Sequence, residues 1–157
     1  MTKRIELEIV ETGTRVTARL LEDEAPKTCE AMWKALETPI ESKLLHGIWL
    51  GRTLEVDVPA ANRRFGPDQV PMENATVCPL PGDVLWKYHP PKSVRGLESP
   101  SWDIMIAYGP EAVMRNPAGP APANAWAEMT DNKDAFCAEC AGLWFGKAQT
   151  IRIRRLT

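Results

Sequence analysis

The chain opens with two successive runs in which apolar and polar residues alternate, and a proline-led helical pattern follows at once. Ile5, Leu7 and Ile9 alternate with Arg4, Glu6 and Glu8. After Glu11-Thr12-Gly13-Thr14 the alternation resumes at Val16, Ala18 and Leu20. A period of two sends alternate side chains to opposite faces, so each run predicts a half-buried strand, and the turn between them predicts a hairpin. Cys29, Met32, Trp33 and Leu36 then recur at helical spacing across residues 25–37. Pro26 suits a first turn, where its missing N–H has no intrahelical partner. Asp23 and Glu24 lie at the positive end of the helix dipole, and Pro39 stops the helix.

The rest of the chain continues as short strands and turns. Residues 43–50 read as a strand, Gly51-Arg52 as a break, and Leu54, Val56 and Val58 as a second alternating run. Residues 59–71 are polar and turn-rich, which predicts a surface loop. Short strands are expected at Val77–Pro79 and after the Pro81-Gly82-Asp83 turn, at Val84-Leu85-Trp86. Trp102 to Tyr108 is the most continuous apolar run, with β-branched Ile104 and Ile106 at its centre. Residues 109–122 carry four prolines and two glycines, too many for regular structure, so a long excursion over one end of the fold is expected. A strand at Asn124–Thr130 leads to a helix at about Lys133 to Leu143, for which Asp131 and Asn132 are candidate caps. Residues 148–156 alternate Ile151 and Ile153 with Arg152 and Arg154. With no linker or internal repeat, the 157 residues read as one domain. Its expected fold is mainly β: a closed antiparallel barrel of about eight strands with two capping helices.

Composition narrows the function. The apolar share (44%) and charged share (25%) are those of a globular protein. Net charge is −2, outward alternation explains Arg152 and Arg154 of the Arg152-Arg154-Arg155 group, and a nucleic-acid footprint needs a broader basic face, so none is expected. No stretch approaches the roughly 20 apolar residues of a membrane span. The first residues also lack an apolar leader pattern, so a cytoplasmic location with no membrane partner is expected. The four cysteines then read as reduced, mostly buried thiols.

Ala25-Pro26-Lys27-Thr28 followed by an apolar-patterned helix, the hairpin before it, the late second helix and Gly146-Lys147 before the final strand together resemble a cyclophilin-like barrel. The segments His46 to Gly51, Glu73 to Leu85 and Ile106 to Pro110 resemble more specifically the bacterial cyclophilin-like proteins of a domain-of-unknown-function family. The resemblance spans essentially the whole chain and implies the barrel. Cyclophilins act through an arginine in a Phe-His-Arg stretch, whose guanidinium weakens the amide resonance of the twisting X–Pro bond, a barrier of about 20 kcal/mol. Here His46 is followed by Gly47, Arg52 lies six residues on, and the Gln-Gly-Gly-Asp and paired-phenylalanine strands are missing. Prolyl isomerase activity is therefore not expected, and a shared fold does not restore it.

Other constellations are weak. Cys137 and Cys140 have metal or redox spacing but fall within a helical pattern, on one face with Leu143 and Trp144. Core is the better reading, and neither a metal nor a cofactor is expected. Trp33 and Trp144 are assigned to helix faces in the core. His46 and His89 could each act as a base near neutral pH, yet no triad spacing accompanies them.

Aromatic residues at strand ends are the strongest functional signal, since Trp and Tyr offer an apolar face with a polar tip. The leading expectation is a small organic ligand held in a cleft at one barrel end. Trp49, Trp86, Tyr88 and Tyr108 would line it, with His46, Arg52, Glu73 and Arg115 as polar contacts. Arg115 suits a carboxylate. The alternatives are a small-molecule enzyme, including a residual prolyl isomerase, and a non-catalytic interaction or assembly module whose exposed apolar surface forms a homo-oligomer or docks an enzyme partner.

Overall fold

The structure, a computed structural model, describes residues 2–156. Its strands are β1 (Arg4–Ile9), β2 (Thr14–Leu20), β3 (Ile40–His46), β4 (Thr53–Asp57), β5 (Ala75–Thr76), β6 (Asp83–His89), β7 (Ser101–Ala107), β8 (Arg115–Asn116), β9 (Gly119–Pro120), β10 (Ala123–Met129) and β11 (Gln149–Leu156). Helix α1 spans Pro26–Ala35 and helix α2 spans Lys133–Gly142. Neighbours run β2-β1-β11-β3-β4-β7-β6-β10, and β10 returns to β2 through Ala127↔Leu20 and Met129↔Ala18. Every pairing is antiparallel. The result is a closed eight-strand barrel, with β5 added beside β10 and a separate β8–β9 ribbon.

The alternation read in the sequence sets the inner face. Ile5, Leu7, Ile9, Val16, Leu54, Val56, Ile104, Ile106, Trp126, Ile151 and Ile153 are buried together in one core, against Cys29, Met32 and Ala35 of α1. Outside, the partners set by register are charged. Glu6 faces Arg154 and Glu8 faces Arg152 across β1–β11, with ion pairs at 2.8 and 3.0 Å. Arg15 of β2 joins Glu8 from the other side at 2.9 Å. The three late arginines thus split between this ladder and Arg155, whose guanidinium lies 4.5 Å from the Trp33 ring centre.

A second apolar layer explains why β7 reads as continuously apolar. Ile104 and Ile106 point inward, while Met105 and Ala107 point outward and meet Leu85, Ala125, Leu21 and Leu50. Ala112 and Met114 of the 109–122 excursion complete this layer. Both faces of β7 are covered, so the strand needs no polar side on its buried stretch.

Several boundaries differ from the sequence reading. The strand expected at 43–50 begins at Ile40, directly after Pro39, and ends at His46 because residues 47–52 turn back toward β4. The short strand expected at 77–79 is instead Ala75–Thr76, paired to Asn124 and Ala123; Pro79 has no N–H to offer a ladder. Asn132 takes the N-cap position of α2, its carbonyl accepting the Phe136 N–H at 3.1 Å, but neither candidate caps the helix with its side chain. The Asp131 carboxylate accepts the Thr17 N–H at 2.6 Å, and the Asn132 amide donates to the Arg15 carbonyl at 2.7 Å, so both tie the helix start to β2. Trp144 lies beyond α2 and is about half exposed (48%), and Trp33 is only partly buried. Among the described residues no helix is long and apolar enough to cross a membrane.

Candidate functional site

The 47–52 turn and the 109–122 excursion are stitched together by backbone. The Tyr108 N–H donates to the Arg52 carbonyl at 3.0 Å and the Val113 N–H to the Leu50 carbonyl at 3.1 Å. Met114 N–H reaches the Val77 carbonyl at 2.8 Å. Gly51 makes the approach feasible: its φ is +63°, and a Cβ there would lie 2.2 Å from the Glu111 carbonyl oxygen. Gly109 also lies close to the Arg52 side chain, where a Cβ would sit 2.6 Å from Cδ.

Between turn and excursion lies an open groove of about 410 Å3. Trp49, Val77, Val113, Met114 and Pro117 form apolar walls, and Arg115 and Asn116 supply polar groups from the β8 ribbon. Trp49 is 53% exposed, so its indole is presented to solvent. Arg115 is also exposed. The Asn116 amide turns away to donate to His89 Nε2 at 3.2 Å, which leaves the His89 proton on Nδ1, 3.8 Å from the Asp103 carboxylate. Ser101 donates its hydroxyl to that same carboxylate. On β4 nearby, burial first and then Asp103 push the Glu55 carboxyl above its ordinary range.

His46 and Tyr108 meet at the root of the turn. His46 Nδ1 lies 3.1 Å from the Gly47 carbonyl, which can only accept, so Nδ1 carries the proton and Nε2 accepts the Tyr108 hydroxyl at 2.7 Å. Trp144 covers the imidazole edge-on at 4.1 Å. Burial holds the His46 imidazolium below the usual histidine range and pushes the Tyr108 phenol up. The pair is neutral and satisfied, a brace rather than an exposed base.

The eight sequence candidates do not share one cleft. Trp49 and Arg115 line the groove, whereas His46, Tyr108 and exposed Arg52 are not part of its lining. Trp86 and Tyr88 sit elsewhere, in an edge-to-face cluster with Phe65 and Trp102 at centroid distances of 5.2–5.8 Å. Their edges reach a second cleft, of about 280 Å3, between the end of β6, residues 67–72 and Pro122. Glu73 is in neither. Its Oε1 accepts the Thr28 N–H at 2.5 Å and the Thr28 hydroxyl at 2.8 Å, so its carboxylate is engaged at the start of α1. Asn124 supports it, accepting the Glu73 N–H at 3.3 Å and donating to Thr28 Oγ1 at 3.0 Å.

Sequence reasoning missed Val113, Met114, Lys87 and the carboxylates Glu55 and Asp103 that lie near His89, which it had weighed only by itself. Alternation along 83–89 and 101–107 carries the signal for the last two sets, since it sends Lys87 and Asp103 to one outer face. Cys140 is buried and Cys137 partly so, both as thiols, with burial pushing both upward in pKa. Among the described residues no cluster of three His, Cys, Asp or Glu side chains is arranged to hold a metal ion.

A family model described as "Protein of unknown function (DUF3830)" matches residues 7–155. The chain is a DUF3830 protein. No curated protein matches the DUF3830 chain in sequence. Among solved structures it is similar to McbB in complex with tryptophan, with a TM-score of 0.66 and 21% identity over 96% of this chain. The DUF3830 chain spans 44% of McbB. The hypothetical protein AF2241 from Archaeoglobus fulgidus matches at TM-score 0.55 and 16% identity, covering 99% of this chain and 95% of that one. The Mimivirus cyclophilin matches at TM-score 0.60 and 12% identity, covering 98% and 87%. These likenesses establish the cyclophilin-like barrel expected from the resemblance, and at such identities they speak to fold alone.

Proposed function

We propose that the protein binds a small organic acid with an apolar or aromatic body in the groove between Trp49 and the β8 ribbon. The carrying observation is that one groove of ligand size joins an exposed indole, aliphatic walls and an exposed arginine. The indole and the Val113 and Met114 side chains suit a planar apolar body, and a guanidinium at the rim suits a carboxylate. McbB, of similar fold, binds tryptophan, a molecule of that class. The test is calorimetric titration with tryptophan, indole acetate and phenylpyruvate, repeated with Trp49→Ala and Arg115→Ala. Binding that weakens about tenfold or more in each variant supports the reading. Absence of heat for all three ligands, with no shift in melting temperature, overturns it.

An assembly surface is the second reading. Ile48 (87% exposed) and Phe145 (94%) stand beside Trp49 and Trp144 on adjoining loops, more apolar surface than isolated loop tips usually show. Light scattering at rising concentration decides: a strict monomer removes self-association.

A further inference from the structure

Lys87 and Asp103 stand directly opposite each other on β6 and β7, where oppositely charged neighbours normally pair. They do not. Asp103 is turned to Ser101 and His89, while Lys87 Nζ donates to the Pro122 carbonyl at 2.9 Å. The Lys87 side chain lines the 280 Å3 cleft with Tyr88, Pro67, Val70, Pro71 and Pro90. Lysine heads ordinarily reach water or a carboxylate. This one is part-buried in a cleft whose prolines, Val70 and Tyr88 outnumber its polar residues Asp68 and Asn124, and burial alone holds its ammonium below the usual lysine range.

We infer that Lys87 is a carbonyl-capturing amine, which condenses with an apolar or aromatic aldehyde seated in the cleft between β6, residues 67–72 and Pro122. The free amine attacks the carbonyl carbon and forms a C–N bond. The carbonyl oxygen takes up a proton, and the carbinolamine then expels that oxygen as water, leaving the imine C=N. Protons pass to and from solvent on the open side, and no oxidant or reductant is needed. Tyr88 and the prolines favour a flat apolar body, while Asp68 at the rim repels anionic carbonyl compounds. The cleft is separate from the Trp49–Arg115 groove, so either reading stands or falls without the other.

The experiment uses the full chain with benzaldehyde and sodium cyanoborohydride, which reduces any imine to a stable benzyl amine, followed by peptide mass spectrometry of each lysine. Each pKa unit lost raises the free-amine fraction about tenfold near neutral pH. Lys87 is therefore expected to be benzylated measurably faster than exposed Lys92 and Lys147, with that preference abolished in urea. Lys87 labelling no faster than Lys92 overturns the inference. A Tyr88→Ala variant separates the cleft from bare amine reactivity: slower labelling at Lys87 with Lys92 unchanged supports the site. An unchanged Lys87 rate in that variant overturns it.

Discussion

A single oxygen of Glu73 accepts both the backbone N–H and the hydroxyl of Thr28, a residue 45 positions earlier in the chain. Thr28 is the third residue of α1, whose own N-cap position is Ala25, a residue with no side-chain acceptor. The helix is thus capped in trans by the 71–76 segment, which Asn124 fixes in turn. Thr28 is fully buried, so its donors have no water to fall back on. Glu73→Ala is expected to cost about 1–3 kcal/mol. Urea melts of Glu73→Ala and Glu73→Gln check this, with Gln, still an acceptor, losing less.

Gly51 and Gly13 both have positive φ, yet only Gly51 is hemmed in by backbone. At Gly13 nothing lies within 4 Å of an added Cβ, so Gly13→Ala should cost only the left-handed penalty of about 1–2 kcal/mol. Gly51→Ala adds a collision with the Glu111 carbonyl and must push the excursion off the turn. Chemical denaturation of the two variants is expected to rank Gly51→Ala as clearly worse.

The Tyr108 hydroxyl is the donor that satisfies His46 Nε2. Tyr108→Phe leaves that acceptor part-buried without its partner and is expected to cost about 1–2 kcal/mol. Thermal melts near neutral pH measure it. A variant as stable as the parent would show that water replaces the hydroxyl and that the brace is dispensable.

Glu55 gives a pH signature of definite sign. Its folded pKa is raised by burial and by Asp103, so the folded chain holds this proton more tightly than the unfolded one. The ionised form therefore weighs against folding above the raised pKa, and that penalty disappears as pH falls below the ordinary glutamate value. Glu55→Gln is expected to raise the melting temperature at neutral pH and to leave it unchanged in the acid range. A variant that melts lower at neutral pH would mean that the carboxylate holds a favourable partner.

The barrel was legible because its information is local. The Ile5-Leu7-Ile9 and Ile151-Ile153 alternations state which face is buried, and Arg152 and Arg154 state which is wet. The site was less legible because its information is not local. Trp49 and Trp126 are the same residue type in neighbourhoods of similar pattern, yet one is half exposed and the other fully buried. The difference lies in where the 47–52 turn leaves the sheet. Glu73 looked like a ligand contact because nothing near it in sequence shows that Thr28 is waiting. For Lys87, alternation correctly implies an outward side chain, but its burial comes from Pro122 and residues 67–72 folding beside it. His46 and Tyr108 were each picked out by type, and only the closed barrel shows that they occupy each other.

Strand β1 sits between β2 and β11, with Arg4 opposite Leu156. During synthesis the β1–β2 hairpin emerges well before β11 and then waits, one side of β1 unpaired, until β11 leaves the ribosome. An unsatisfied strand edge recruits other chains, and seams joined over such long sequence separations close slowly. The charged Glu6–Glu8 row along β1, part of it already held by Arg15 of β2, meets this hazard: a charged edge disfavours pairing with the apolar strand of another chain until Arg152 and Arg154 arrive. The ladder that later braces the finished barrel thus also acts as a gatekeeper while the barrel is still open.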